Sequence, residues 1–187
     1  MSLLALDSRW RRFNDDTRQC PCCGQSFSGI YDLGYDHPDD WPHGPRKDQD
    51  VVQVGDDALN SDMCRFDGRY FLRCVLPLPV RGADDHMSFG PWAEVSEDTV
   101  QAYSATYGAD PKPFSGGEGL LANALPGFED SAQTAVTLAG TSPAERPALS
   151  AIDGDLAEAQ ANGISFDELL DIYAAAGNDL RPHLTQD

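Results

Sequence analysis

The chain has 187 residues, 13 Lys and Arg against 31 Asp and Glu, and a formal charge of −18. Hydrophobic residues make up 41% of it, and a chain of this length can bury about two-thirds of its unfolded surface in a core. The charge argues against nucleic acid as a main partner, because a phosphate backbone would be repelled. The same field disfavours anionic membranes, and no stretch approaches the length of an apolar membrane span.

Residues 1–7 carry no basic stretch and only a short apolar run, so no secretory leader is expected and a cytoplasmic protein follows as the expectation. Five cysteines (Cys20, Cys22, Cys23, Cys64 and Cys74) are an odd number. In a reducing compartment they are free, metal-bound or redox-active thiols rather than a disulfide framework.

Leu3, Leu6, Trp10 and Phe13 recur at three- and four-residue steps and predict a short amphipathic helix. Residues 1–18 then form an N-terminal helical arm carrying Arg9, Arg11, Arg12 and Arg18, expected to dock on the acidic body. Reaching an outside partner is the lesser reading. Residues 19–178 read as a single α+β domain and 179–187 as a tail.

The domain opens on Cys20-Pro21-Cys22-Cys23-Gly24. Residues 32–62 follow as a long acidic loop interrupted by Pro38, Pro42 and Pro45, with little regular structure expected from so much Asp. Met63 to Phe66 predicts a strand, Asp67-Gly68 a hairpin turn, and Arg69 to Leu76 the returning strand. Pro77 and Pro79 place that strand at an edge or end it. Gly82 to Ser88 reads as a polar loop and Phe89 to Val95 as the next strand, with Trp92 and Trp10 expected in the core. Ser96 caps a helix over Glu97 to Tyr107 that stops at Gly108. Ser115-Gly116-Gly117-Glu118-Gly119 lacks the Lys-Ser/Thr ending of a phosphate cradle and reads as a flexible loop. Thr134 to Leu138 and Ala148 to Ile152 predict short strands. A helix over Asp155 to Ala161 ends at Asn162-Gly163, and Ser165 with Glu168 forms a capping box for a helix closed by Gly177. The fold class is α+β, a mostly antiparallel sheet with short helices at its edges.

Ordered motifs along the chain support a resemblance. They are Cys20-x-x-Cys23-Gly24, Ser61-Asp62-Met63-Cys64, Phe71-Leu72-Arg73, Trp92 with Glu94-Val95-Ser96, Leu125-Pro126-Gly127-Phe128, Arg146-Pro147 and Gly163-Ile164. In this order the chain resembles an uncharacterised bacterial family, domain of unknown function 2199. The resemblance implies a shared fold and no assigned activity. Members of that family usually carry a His three residues after the knuckle Gly, where this chain has Phe27, and His-Pro where it has Gly154-Asp155.

The sharpest chemical signal is the Cys20/Cys23 pair, because C-x-x-C-Gly is a turn that points two sulfurs at one tetrahedral Zn²⁺. Cys64 is the best third ligand, at the start of a strand able to return to the knuckle. The fourth is open among Cys22, Cys74, His37, His43 and His86. The competing reading is a set of reduced thiols packed as small hydrophobes. Asp84-Asp85-His86 is a possible cation cluster or a solvated loop. Asp62 either orients a ligand or simply begins the strand. Arg73, inside an apolar strand, calls for a carboxylate partner or a ligand, and Arg146 is similar.

Two functional classes follow. One is a non-enzymatic acidic binding domain with a structural zinc-thiolate site that docks a basic protein partner, as an inhibitor or immunity-type protein would. Its acidic segment 32–62 is then the contact surface. The other is a metal-dependent hydrolase working through Asp84, Asp85 and His86 or an open cysteine site. The first is preferred, because no nucleophile–base pair can be assembled from the motifs.

Overall fold

The computed structural model describes residues 3–185, so Met1 and Ser2 of the expected arm and residues 186–187 of the expected tail lie outside it. A single 3-10 turn (Leu3–Leu6) precedes helix α1 (Ser8–Phe13). Three short strands then fall in the acidic segment: β1 (Leu33–Gly34), β2 (Val52–Val54) and β3 (Asp57–Leu59). The β-rich middle holds β4 (Met63–Phe66), β5 (Arg69–Arg73), β6 (Leu76–Pro79), β7 (His86–Gly90) and β8 (Trp92–Val95). Helix α2 (Glu97–Ser104) leads to β9 (Gly117–Leu121), β10 (Ala135–Leu138) and β11 (Leu149–Ala151). Helices α3 (Gly154–Asn162), α4 (Phe166–Ala175) and α5 (Arg181–Leu184) follow.

The larger sheet is antiparallel throughout, in the order β11-β10-β9-β8-β5-β4-β3-β2. The smaller sheet runs β1-β7-β6, with only the β1–β7 pair parallel. The α+β expectation with a mostly antiparallel sheet therefore holds. At the β4–β5 turn, Asp67 (φ 49°) and Gly68 (φ 69°) both adopt the left-handed backbone that a two-residue type I′ hairpin needs.

Two strands expected to be continuous are each broken, and the breaks meet. Arg73 ends β5 opposite Trp92 in the large sheet, whereas Leu76 begins β6 opposite Phe89 in the small one. The 89–95 stretch divides at Pro91, which has no amide to donate. The Cys74 amide donates to the Pro91 carbonyl at 2.8 Å. Both chains thus pass from one sheet to the other at one corner. Beyond it, Pro77 and Pro79 sit within β6, at the edge of the small sheet, where their missing amides cost no pairing.

The glycine-rich stretch read as a flexible loop carries β9, an interior strand paired with β8 and β10. A Cβ on Gly119 would lie 2.4 Å from the Glu94 carbonyl oxygen, so glycine is what permits β9 to approach β8. The acidic segment is likewise more ordered than expected, because its carboxylates are used inside the molecule. Asp32 accepts from the Ser88 amide (2.8 Å), and Asp39 accepts from Asn123 Nδ2 and the Ala124 amide (2.7 Å each).

Helix α2 is capped by Ser96, as expected, but ends at Ser104, where the Thr106 amide turns back to Tyr103. In α4 both halves of the capping box are present: Glu168 N donates to Ser165 Oγ (3.2 Å) and Ser165 N donates to Glu168 Oε2 (2.6 Å). Leu169, Leu170, Ile172 and Tyr173 of α4 enter the main core. The N-terminal stripe is shorter than expected. Asp7 caps α1 by accepting from the Arg9 amide, which leaves Leu3 and Leu6 exposed on the preceding turn. Trp10 and Phe13 nonetheless pack on α4, with ring centroids 5.1 and 5.5 Å from Phe166, and Arg9 pairs with Asp167 at 2.7 Å. The segment read as a tail carries α5, whose flanking Leu180 and terminal Leu184 are buried.

Candidate functional site

The turn that follows Cys20 is closed by backbone bonds at both ends. Gly24 N donates to the Cys20 carbonyl and Cys20 N to the Gln25 carbonyl, each at 2.8 Å, with Gly24 in the left-handed region (φ 73°). This loop points three sulfurs one way, and α5 brings an imidazole to meet them. His183 Nδ1 lies 3.4 Å from Cys20 Sγ, 3.1 Å from Cys22 Sγ and 3.5 Å from Cys23 Sγ, while Cys20 and Cys22 Sγ are 3.1 Å apart. All four atoms fall within 4.8 Å of one another. Ligands of a tetrahedral Zn²⁺, with metal–sulfur bonds near 2.3 Å, are separated by about 3.5–3.8 Å. The cluster is therefore a group of Cys₃His composition able to hold a metal ion.

The arm holds α5 in place. Arg12 donates to the Leu184 carbonyl (2.8 Å) and Arg18 to the His183 carbonyl (3.3 Å), so two cationic side chains satisfy carbonyls at the helix C-terminus. Phe27 packs its ring 5.9 Å from the His183 ring. The position where the resemblance leads one to expect an imidazole thus supports the imidazole that α5 supplies.

The electrostatics favour thiolate at the turn. Burial opposes ionisation of Cys20, but hydrogen bonds from Cys22, His183 and backbone amides outweigh it and bring the thiol down to about 6. The hydrogen bond to Cys20 pushes Cys22 the other way. One sulfur of the pair is thus poised as an anion beside a neighbour that keeps its proton.

Of the expected ligands, the structure brings Cys20 and Cys23 together and does not bring Cys64 to them. Cys64 is buried in a second apolar cluster with Trp41, Leu59, Phe66, Phe71 and Trp92, and burial pushes its thiol up to about 12. It is paired in register with Phe71 in the β4–β5 hairpin. Among the open choices for the fourth ligand, only Cys22 joins the group. Cys74 is fully buried and donates to the Leu72 carbonyl. His37 bonds the Pro38 carbonyl, and His43 bonds Asp57 at 2.8 Å. His86 stands exposed 3.8 Å from Asp85, and Asp84, Asp85 and His86 do not converge as a metal group among the described residues. Asp62 accepts from Arg146 rather than orienting a cysteine. His183, some 160 positions from the turn, carries no local signal of its role.

These differences predict a labelling pattern. With metal bound, Cys22 and Cys23 should resist iodoacetamide despite their exposure, and a chelator should open both to alkylation. Cys64 and Cys74 should react only when the protein unfolds. Mass spectrometry of the alkylated peptides reads each thiol, and early labelling of Cys64 would contradict its placement.

A second feature is a cleft of about 440 Å³ between α3 and α4. Its floor includes Phe128, Ala159, Ile164 and Ile172, and its rim includes Asp155, Glu158, Glu168 and Asp171. Glu168 pairs with Arg81 (3.0 Å) and Asp171 with Arg181 (2.6 Å). No helix among the described residues is long and apolar enough to cross a membrane.

No curated protein and no solved structure matches the chain. A family model matches residues 19–164, which takes in the three knuckle cysteines, Asp62, Arg73 and Arg146 and leaves His183 outside. The chain belongs to the family described as an uncharacterized protein conserved in bacteria, domain of unknown function 2199.

Proposed function

We propose that this protein is a binding domain stapled by one structural zinc ion, held by Cys20, Cys22, Cys23 and His183, and that it docks a basic protein segment. The convergence of three sulfurs and one imidazole nitrogen within 4.8 Å carries the metal half of the reading. Zinc is the metal that thiolate-rich tetrahedral sets favour, and four protein ligands suit a structural ion. A catalytic zinc keeps one position for water, which speaks against a hydrolase at this turn. The ion would tie the segment before β1 to the helix after α4.

The partner half is supported by the charge of −18 and by the cleft between α3 and α4. Its apolar floor suits the hydrophobic face of an amphipathic segment, and Asp155 and Glu158 stand on its rim with no cation paired to them among the described residues. Our reading takes α3 rather than the 32–62 segment as the contact surface, because Asp32 and Asp39 of that segment are engaged within the fold.

Elemental analysis of untagged protein tests the first half: one zinc per chain is expected, and none in Cys23→Ser. A metal-free protein with unchanged melting would end it. Titration with a Lys-rich amphipathic peptide tests the second. Binding should weaken at least tenfold between 50 and 500 mM salt, and again in the Asp155→Asn, Glu158→Gln double variant, by roughly the loss expected for charge-steered contacts. Binding that ignores both changes would remove the cleft as the docking face.

A further inference from the structure

Arg73 closes β5 at the corner where the chain changes sheets. Its Nε–H is fully buried and meets no acceptor, and no carboxylate among the described residues lies within ion-pair distance of its guanidinium. The ion pair expected from the sequence is therefore not formed. Buried donors are almost always paired, so an orphan calls for an explanation.

Asp62, a candidate partner, is engaged elsewhere. Its Oδ1 accepts from Arg146 Nε (2.7 Å), its Oδ2 from the Ser61 hydroxyl (2.5 Å), and its carbonyl from the Arg73 amide (2.8 Å). That geometry sets Arg146 beside Arg73 while using only one donor of the Arg146 fork. Burial disfavours the Arg73 charge and Arg146 disfavours it further, with Asp62 and Asp36 opposing and Arg46 adding. On the other side, a Cβ on Gly34 would lie 3.2 Å from an Arg73 terminal nitrogen, so glycine there spares the fork a close neighbour.

We propose that Arg73 and Arg146 bind the carboxylate of a small acidic molecule through the open donors of their guanidinium forks. Guanidinium forks match a planar carboxylate with paired hydrogen bonds. The field of a −18 chain opposes ligands of higher negative charge, so a monoanionic group is favoured. The site is separate from the cysteine turn, so its failure leaves the zinc reading untouched.

The test follows the Arg73 Nε–Hε cross-peak in ¹⁵N spectra of the full chain, assigned by its loss in Arg73→Lys. Acetate should move the peak saturably, sodium chloride of equal ionic strength should not, and Arg146→Gln should weaken the acetate response at least tenfold. Arg73→Met should melt at or above the wild type in buffer without carboxylates, because it removes a buried charge that has no partner. Equal responses to acetate and chloride overturn the proposal. Saturation by inorganic phosphate with no response to acetate overturns the carboxylate assignment. Arg73→Met melting well below the wild type, with no acetate response in the latter, assigns Arg73 a structural role instead.

Discussion

His183→Ala should strip the metal and lower the melting temperature by about 10 °C, as far as a strong chelator lowers that of the wild type. The size of the effect comes from topology. The sulfurs of Cys20, Cys22 and Cys23 precede β1, and the imidazole comes from α5, after every other element. A metal joining them closes a loop of about 160 residues, and cross-links over long loops remove the most entropy from the unfolded chain. An ion bound there would also meet a preformed set only in the folded state, so its binding free energy would add to stability. Cys20→Ser and Cys23→Ser should behave alike, whereas Cys64→Ser should keep a full metal load, because Cys64 lies in the Trp41–Phe66 cluster. Calorimetry with and without chelator decides it. Superimposable curves, with His183→Ala melting like the wild type, would dismiss the zinc.

Phe13→Ala should cost about 3–5 kcal/mol, the range for deleting a large buried aromatic side chain. Phe13 is wholly buried and touches Trp10, Phe166 and Tyr173, with ring centroids 5.8, 5.5 and 6.3 Å away. It is the peg that fastens α1 to α4. From α1, Arg12 reaches the Leu184 carbonyl and so helps to hold His183 against the sulfurs. Loosening α1 should therefore weaken metal binding as well, although Phe13 touches none of the ligands. Denaturant unfolding measures the first effect and competition with a chromophoric chelator the second. Unchanged metal affinity in a destabilised variant would show that α1 serves the core alone.

The α+β class was legible in the sequence because the local signals agreed with one another. The Asp67-Gly68 turn, the Ser96 and Ser165 caps and the Gly163 stop all stand where the residues place them. Half of the candidate site was legible too. Cys20-x-x-Cys23-Gly24 encodes its own turn, since Gly24 supplies the left-handed residue and the backbone bonds close within five positions. Local preference yields where distant partners override it. Gly117 and Gly119 weaken a strand in isolation, yet β9 forms because β8 and β10 flank it and the small residues let them approach. The apolar run from Arg69 to Leu76 has no internal mark at Cys74. It breaks there because the Pro91 carbonyl and the second sheet claim the chain.

By itself, then, the sequence determined the turns, the caps, the knuckle and the excess of negative charge, because each depends on contacts a few residues apart or on composition alone. The tertiary structure decided that His183 and Cys22 join the cysteine turn, that Cys64 does not, and that Arg73 keeps a buried donor unmet. Those relations join residues tens to more than a hundred positions apart. Only the packing of α5 on the arm and the crossing of the two sheets brings them within bonding reach.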